Sequence, residues 1–140
     1  MSYGASSYNN DRRWGRRGRI PPLDEGGQLR WPYPPSYGAY TRPYGWAYKT
    51  LFISSVSFKG RVTLRGGSLS GGPPLYFSDR AQRTPARTLT LNPQHPLAYS
   101  GADRSWSYFP AGVYVSKPGC YYLEAHWPHG QWKTTFIAGR

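Results

Sequence analysis

Apolar and polar positions alternate with a period of two through the C-terminal two-thirds of the chain. The pattern is strongest at the end. Tyr121, Leu123, Ala125 and Trp127 fall on one side of an extended segment, with Cys120, Tyr122, Glu124 and His126 on the other. After Pro128-His129-Gly130-Gln131 the alternation resumes: Trp132, Thr134, Phe136 and Ala138 share a side, with Lys133, Thr135 and Ile137 opposite. Pro118-Gly119 opens this stretch, a four-residue turn bends it, and both arms are rich in aromatic and β-branched residues, so it predicts a β-hairpin. A lone hairpin is marginal in water, and this one therefore requires a sheet and a second layer.

Shorter strands precede it. Residues 51–58 predict a first strand, Lys59-Gly60 a turn, and residues 61–65 a half-solvated strand with Val62 and Leu64 inward. Residues 66–73 are glycine-rich and predict a loop. Residues 75–77 form a short strand, 78–87 a basic loop, 88–91 a strand with Leu89 and Leu91 inward, and 92–103 a long loop. Residues 106–109 and 113–115 flank Pro110-Ala111-Gly112 as two short strands or one bent strand. No window carries a helical period beyond a couple of turns. The expectation is an all-β fold over residues 49–140, a sandwich or small barrel of seven or eight short antiparallel strands. Its core is expected to hold Val62, Leu64, Leu75, Phe77, Leu89, Leu91, Tyr121, Leu123, Trp132 and Phe136.

Residues 1–48 follow a different rule. Residues 1–19 are low in complexity and place Arg12, Arg13, Arg16, Arg17 and Arg19 among glycines and one aromatic, Trp14. Such a stretch buries too little apolar surface to fold alone. Residues 20–48 are rich in proline and aromatics, with Ser-Tyr-Gly-Ala at 2–5 repeated at 36–39. Prolines push their neighbours toward extended conformations, so this stretch predicts an extended arm. Trp31, Tyr33, Tyr37, Tyr40, Tyr44, Trp46 and Tyr48 are its candidate docking groups.

Charge sharpens the functional question. The 140 residues carry a net charge of +12. Both parts are basic: eight Lys/Arg against three Asp/Glu in residues 1–50, and ten against three in residues 51–140. Polyanionic partners follow: nucleic acid, an anionic surface or an acidic protein face. The plainer account is solubility for an aromatic-rich chain. Candidate nucleic-acid contacts are Arg12, Arg13, Trp14, Arg16, Arg17 and Arg19 in the arm and Arg80, Arg83 and Arg87 in the basic loop, since arginines neutralise phosphates and stack on bases.

Catalytic chemistry finds little footing. Cys120 has no base beside it in sequence, and a single cysteine excludes an intrachain disulfide. His126 and His129 flank a turn, with His95 as a possible third metal ligand, but no Cys or carboxylate completes a set at motif spacing. Asp79, Asp103 and Glu124 are scattered, and Glu124 among basic neighbours reads as a salt-bridge partner. Gly66-Gly67 and Gly71-Gly72 lack the Gly-Lys-Ser/Thr ending of a phosphate loop. The expectation is a non-enzyme with no cofactor and no metal. No apolar run has the length of a signal peptide or a membrane span, so synthesis without a cleavable export signal is expected.

Pro118-Gly119-Cys120-Tyr121-Tyr122-Leu123-Glu124-Ala125 resembles the penultimate strand of bacterial immunoglobulin-like domains. Together with Gly72-Pro73-Pro74-Leu75-Tyr76-Phe77 and the ending Trp132 to Arg140, it is similar to the C-terminal domain of bacterial secreted or lipid-anchored proteins. The resemblance covers roughly residues 60–140 and implies an immunoglobulin-like sandwich in which Tyr121 is the tyrosine-corner residue. It also implies an envelope-associated surface- or glycan-binding module. From the residues themselves two readings come first: a self-assembling structural subunit, such as a virion or filament component, whose arm docks on neighbouring copies, and a nucleic-acid-binding protein.

Overall fold

The computed structural model describes residues 4–7, 29–35, 38–55, 58–96, 98–100 and 106–139. They contain eleven strands and no helix: β1 (Gly4–Ser7), β2 (Leu29–Trp31), β3 (Tyr40–Thr41), β4 (Gly45–Ser55), β5 (Val62–Ser68), β6 (Tyr76–Ser78), β7 (Leu89–Leu91), β8 (Ala98–Ser100), β9 (Trp106–Val115), β10 (Gly119–Trp127) and β11 (Gly130–Ala138). One sheet runs β1-β4-β9-β6, with β3 also on β4 and β8 also on β9. The other runs β2-β11-β10-β5-β7. The inner faces of both sheets share one core, so the molecule is a two-layer, sandwich-like all-β protein.

The long pair β4–β9 is built by alternation. Tyr48, Thr50, Phe52 and Ser54 of β4 are buried and stand opposite Val113, Ala111, Phe109 and Ser107 of β9, also buried. The intervening positions, Ala47, Lys49, Leu51 and Ile53 against Tyr114, Gly112, Pro110 and Tyr108, form the outer face. Residues 106–115 are thus one continuous strand. Pro110 has no backbone N–H to donate, and among the described residues it sits where β9 is paired on one edge only: β8 reaches Tyr108 and β6 begins at Gly112.

The C-terminal hairpin keeps the expected faces. Tyr121, Leu123, Ala125, Phe136 and Ala138 are buried, while Trp132 is half-buried at the margin of the core. Its turn is tighter than expected. Trp127 pairs with Gly130, so only Pro128 and His129 lie between the strands. The other expected core residues, Val62, Leu64, Leu75, Phe77, Leu89 and Leu91, are all buried.

Two stretches expected to be loops are partly strand. Gly66 and Gly67 belong to β5 and pair with Leu123 and Tyr122. A Cβ on Gly66 would stand 2.3 Å from the Tyr122 carbonyl oxygen and 2.7 Å from Leu75 Cδ1, so a bare backbone is what lets Leu75 reach the core. The 92–103 stretch contains β8.

The N-terminal third contributes to the same core. A boundary between residues 48 and 49 falls inside β4. β2 pairs parallel with β11, Leu29 opposite Phe136 and Trp31 opposite Ala138. Trp31 is completely buried and stacks on Phe136 at 4.2 Å and on Tyr48 at 4.9 Å. The Tyr48 hydroxyl donates to the Pro32 carbonyl at 2.6 Å, and the Tyr33 hydroxyl to the Ser116 carbonyl at 2.8 Å. Burial raises the pKa of both phenols, which keeps them protonated donors.

Candidate functional site

The loop from Asp79 to Thr88 joins β6 to β7 and carries Arg80, Arg83 and Arg87, all exposed. Its backbone is fastened from within. Asp79 Oδ1 accepts from the Ala81 N–H at 2.9 Å and from the Gln82 N–H at 2.6 Å. The Asp79 N–H donates back to the Gln82 carbonyl at 2.9 Å. This is the Asx-type closure that an aspartate two and three residues before free amides favours. The Gln82 amide Nε2 then donates to the carbonyls of Phe77 and Thr88, both at 3.1 Å, tying the two ends of the loop together. Phe77 and Ala86 exchange backbone hydrogen bonds of 2.7 and 2.9 Å, and Phe77 is itself fully buried.

The electrostatic result follows from where the acid goes. Asp79 spends its carboxylate on backbone amides. Among the described residues none of Arg80, Arg83 and Arg87 is paired with a carboxylate; the ion pairs there converge on Glu124 instead. Three guanidinium groups therefore project from a fastened frame into solvent. An ordered frame reduces the entropy lost when such groups meet a ligand.

Glu124 occupies the outer face of the second sheet. Arg65 and Lys133 lie directly across the neighbouring strands, and His126 lies two residues on along the same strand. Glu124 accepts from Arg65 Nε at 2.8 Å and bonds His126 Nε2 at 3.0 Å, with Lys133 Nζ at 3.6 Å. The hydrogen bonds from His126 and Arg65, followed by the nearby charges, hold its pKa down to about 2. Lys133 Nζ also lies 4.9 Å from the Tyr122 ring centroid. This row is a charged cross-strand ladder that neutralises its own acid.

The remaining candidates are dispersed. The arginines at positions 12, 13, 16, 17 and 19, Trp14 and Tyr37 lie outside the described residues. Of the arm aromatics, Trp31 and Tyr48 are core, Tyr33 and Trp46 pack against it, and Tyr44 meets Tyr76 and Tyr114 edge-on at 5.0 and 6.1 Å. Tyr40 is exposed, with its ring edge-on to Trp46. Cys120 is exposed at the start of β10. His95 and His129 are exposed, and no group of three or more His, Cys, Asp or Glu gathers among the described residues. The sequence named Asp79 only as a scattered carboxylate and did not single out Gln82; their role in fastening the loop was missed. Their signal was present as Ser-Asp-x-x-Gln between two short strands, an Asx-turn pattern.

Comparison with protein families, with curated proteins and with solved structures finds no match to this chain. No helix among the described residues is long and apolar enough to cross a membrane.

Proposed function

We propose that this protein is a non-enzymatic binding module that holds a polyanion, a single-stranded nucleic acid above all, on the loop bearing Arg80, Arg83 and Arg87. The observation that carries this reading is the division of labour in the loop. Its one carboxylate fastens the backbone, and its three cations are left for a partner. A net charge of +12 adds long-range attraction. The arginines between residues 12 and 19 extend the same chemistry.

An immunoglobulin-like topology for the sandwich is supported by three features. β4, β9 and β6 adjoin in one sheet, as strands B, E and D do, while β5, β10 and β11 adjoin in the other, as C, F and G do. β2 runs parallel beside the last strand. The Tyr121 hydroxyl donates to the Lys117 carbonyl at 2.7 Å, four residues upstream, as a tyrosine corner does.

Gel shifts with a single-stranded oligonucleotide at two ionic strengths test the reading. Affinity is expected to fall steeply with salt. Replacing Arg80, Arg83 and Arg87 together by Gln is expected to reduce the log–log salt slope by about 2, at about 0.7 per phosphate contact. Absence of binding at low salt, or an unchanged slope in the triple variant, overturns it.

Self-assembly is a second reading, favoured by one observation: the edge of β4 is completed by residues 4–7, which are remote in sequence from the rest of the fold. The arm aromatics support it less. Trp31 and Tyr48 are committed to this chain's own core.

A further inference from the structure

We infer that the edge of β4 between Thr50 and Ile53 is a strand-exchange site, which takes residues 4–7 of a second copy of this chain as it takes its own. The inference rests on the self-assembly reading and gives it a defined contact. β1 pairs antiparallel with β4, Gly4 opposite Ile53 through Ser7 opposite Thr50. That pairing is made by backbone groups, and the sequence of the strand is the small and polar Gly-Ala-Ser-Ser. The identity of the donor copy is therefore weakly specified.

The seat itself is strongly specified. β4 has eleven residues, and its far edge is paired with β9 from Trp46 to Ser55. On the near edge β3 reaches only Gly45 and Trp46. Without β1, the stretch from Thr50 to Ile53 would present unpaired amides and carbonyls between half-buried Leu51 and Ile53, the kind of edge that recruits another strand. β1 and the next described strand, β2, lie in different sheets, and 21 residues separate Ser7 from Leu29. A connection of that length spans at most about 70 Å when extended, which reaches a neighbouring copy as readily as its own chain. Pairing within one chain through so long a connection has an effective concentration of millimolar order at most. Exchange then gains ground as copies crowd together. The positive charge of each copy opposes that crowding and salt relieves it. Exchanging one identical element between copies yields a closed pair when reciprocal and an open chain when not.

Mixing two singly labelled proteins reads this directly. In a Cys120→Ser background, Ser6→Cys and Leu51→Cys variants are made separately, since positions 6 and 51 face each other in register. They are mixed at high concentration and moderate salt and treated with a short bis-maleimide. The expected result is a crosslinked heterodimer that increases with concentration and is lost when Gly4→Pro, Ala5→Pro and Ser7→Pro are added to the Ser6→Cys variant, which keeps its thiol. A Ser6→Cys/Leu51→Cys double variant, crosslinked when dilute, is expected to close within one chain. Crosslinking within the double variant and none in the mixture overturns exchange. So does failure of both, because β1 then does not occupy the edge. Sedimentation on the same samples separates this from the broader reading: oligomers without the mixed crosslink overturn exchange and leave assembly through another surface, whereas monomers throughout overturn both.

Discussion

Residues 29–35 and residues 79–88 look alike as sequence and end in opposite places. Both lack sustained alternation, both contain proline and arginine, and both join the fold through very short strands. The first sends Trp31 to full burial against Phe136 and Tyr48. The second keeps three arginines in water. What separates them is how each satisfies its backbone and what apolar cargo it carries. Residues 29–35 have a large indole to bury and borrow hydrogen bonds from distant partners, β11 and the hydroxyl of Tyr48. Residues 79–88 have no large apolar side chain and close their hydrogen bonds within the loop or on Phe77, two residues before it. Irregular sequence is therefore not a single structural class. Burial follows the aromatic anchor, and exposure follows local self-satisfaction.

Trp31→Ala should break the comparison at its strongest point. Removing a fully buried indole from a two-sided stack is expected to cost about 3–5 kcal/mol, read as a lower midpoint in denaturant unfolding. A loss below ~1 kcal/mol would mean that residues 29–35 lie on the surface as residues 79–88 do. Part of that loss is offset because the Trp31 Nε1–H is buried and finds no partner among the described residues.

Asp79→Ala should sharpen the comparison from the other side. It frees the amides of Ala81 and Gln82 at an exposed position, so stability is expected to fall by no more than ~1 kcal/mol. The same change should weaken oligonucleotide binding several-fold without altering the salt slope, since the three guanidinium charges remain while their frame loosens, and the loss of the carboxylate's own repulsion only partly offsets this. An unchanged affinity in titrations would show that the frame contributes nothing.

Acid should produce the smallest effect, centred on Glu124, which belongs to neither region. Glu124 has a folded-state pKa of about 2 against an ordinary value of 4.5. A depressed carboxyl contributes stability that is present above the higher value and is lost as pH falls toward the lower one. Unfolding followed between pH 6 and pH 2 should show a modest decline below about 4.5, reduced in Glu124→Gln. The effect stays small because Arg65 and Lys133 are more than half exposed and screened. A decline of equal size in Glu124→Gln would assign it to other groups.

Much of the sandwich was legible wherever alternation was clean. Val62, Leu64, Leu89, Leu91, Tyr121 and Leu123 sit on the inward side of strands whose outward partners are polar or half-exposed, and period alone places them. Trp31 was not legible, because no periodic neighbours surround it; its depth comes from a parallel pairing with the far end of the chain. The arginines of the 79–88 loop could be named from composition, but their frame could not. The Asp79 turn is local and carries a sequence signal, but the tie from Gln82 to the carbonyls of Phe77 and Thr88 joins residues whose approach no local pattern announces.

The stack of Trp31 on Phe136 joins positions more than a hundred residues apart. During synthesis the tryptophan can complete its two-sided stack only after Phe136, made more than a hundred residues later, has left the ribosome. Closure of the core is therefore a late event with a long loop to draw shut. Any premature stop before β11 would release a chain in which the Phe136 side of that ring is uncovered.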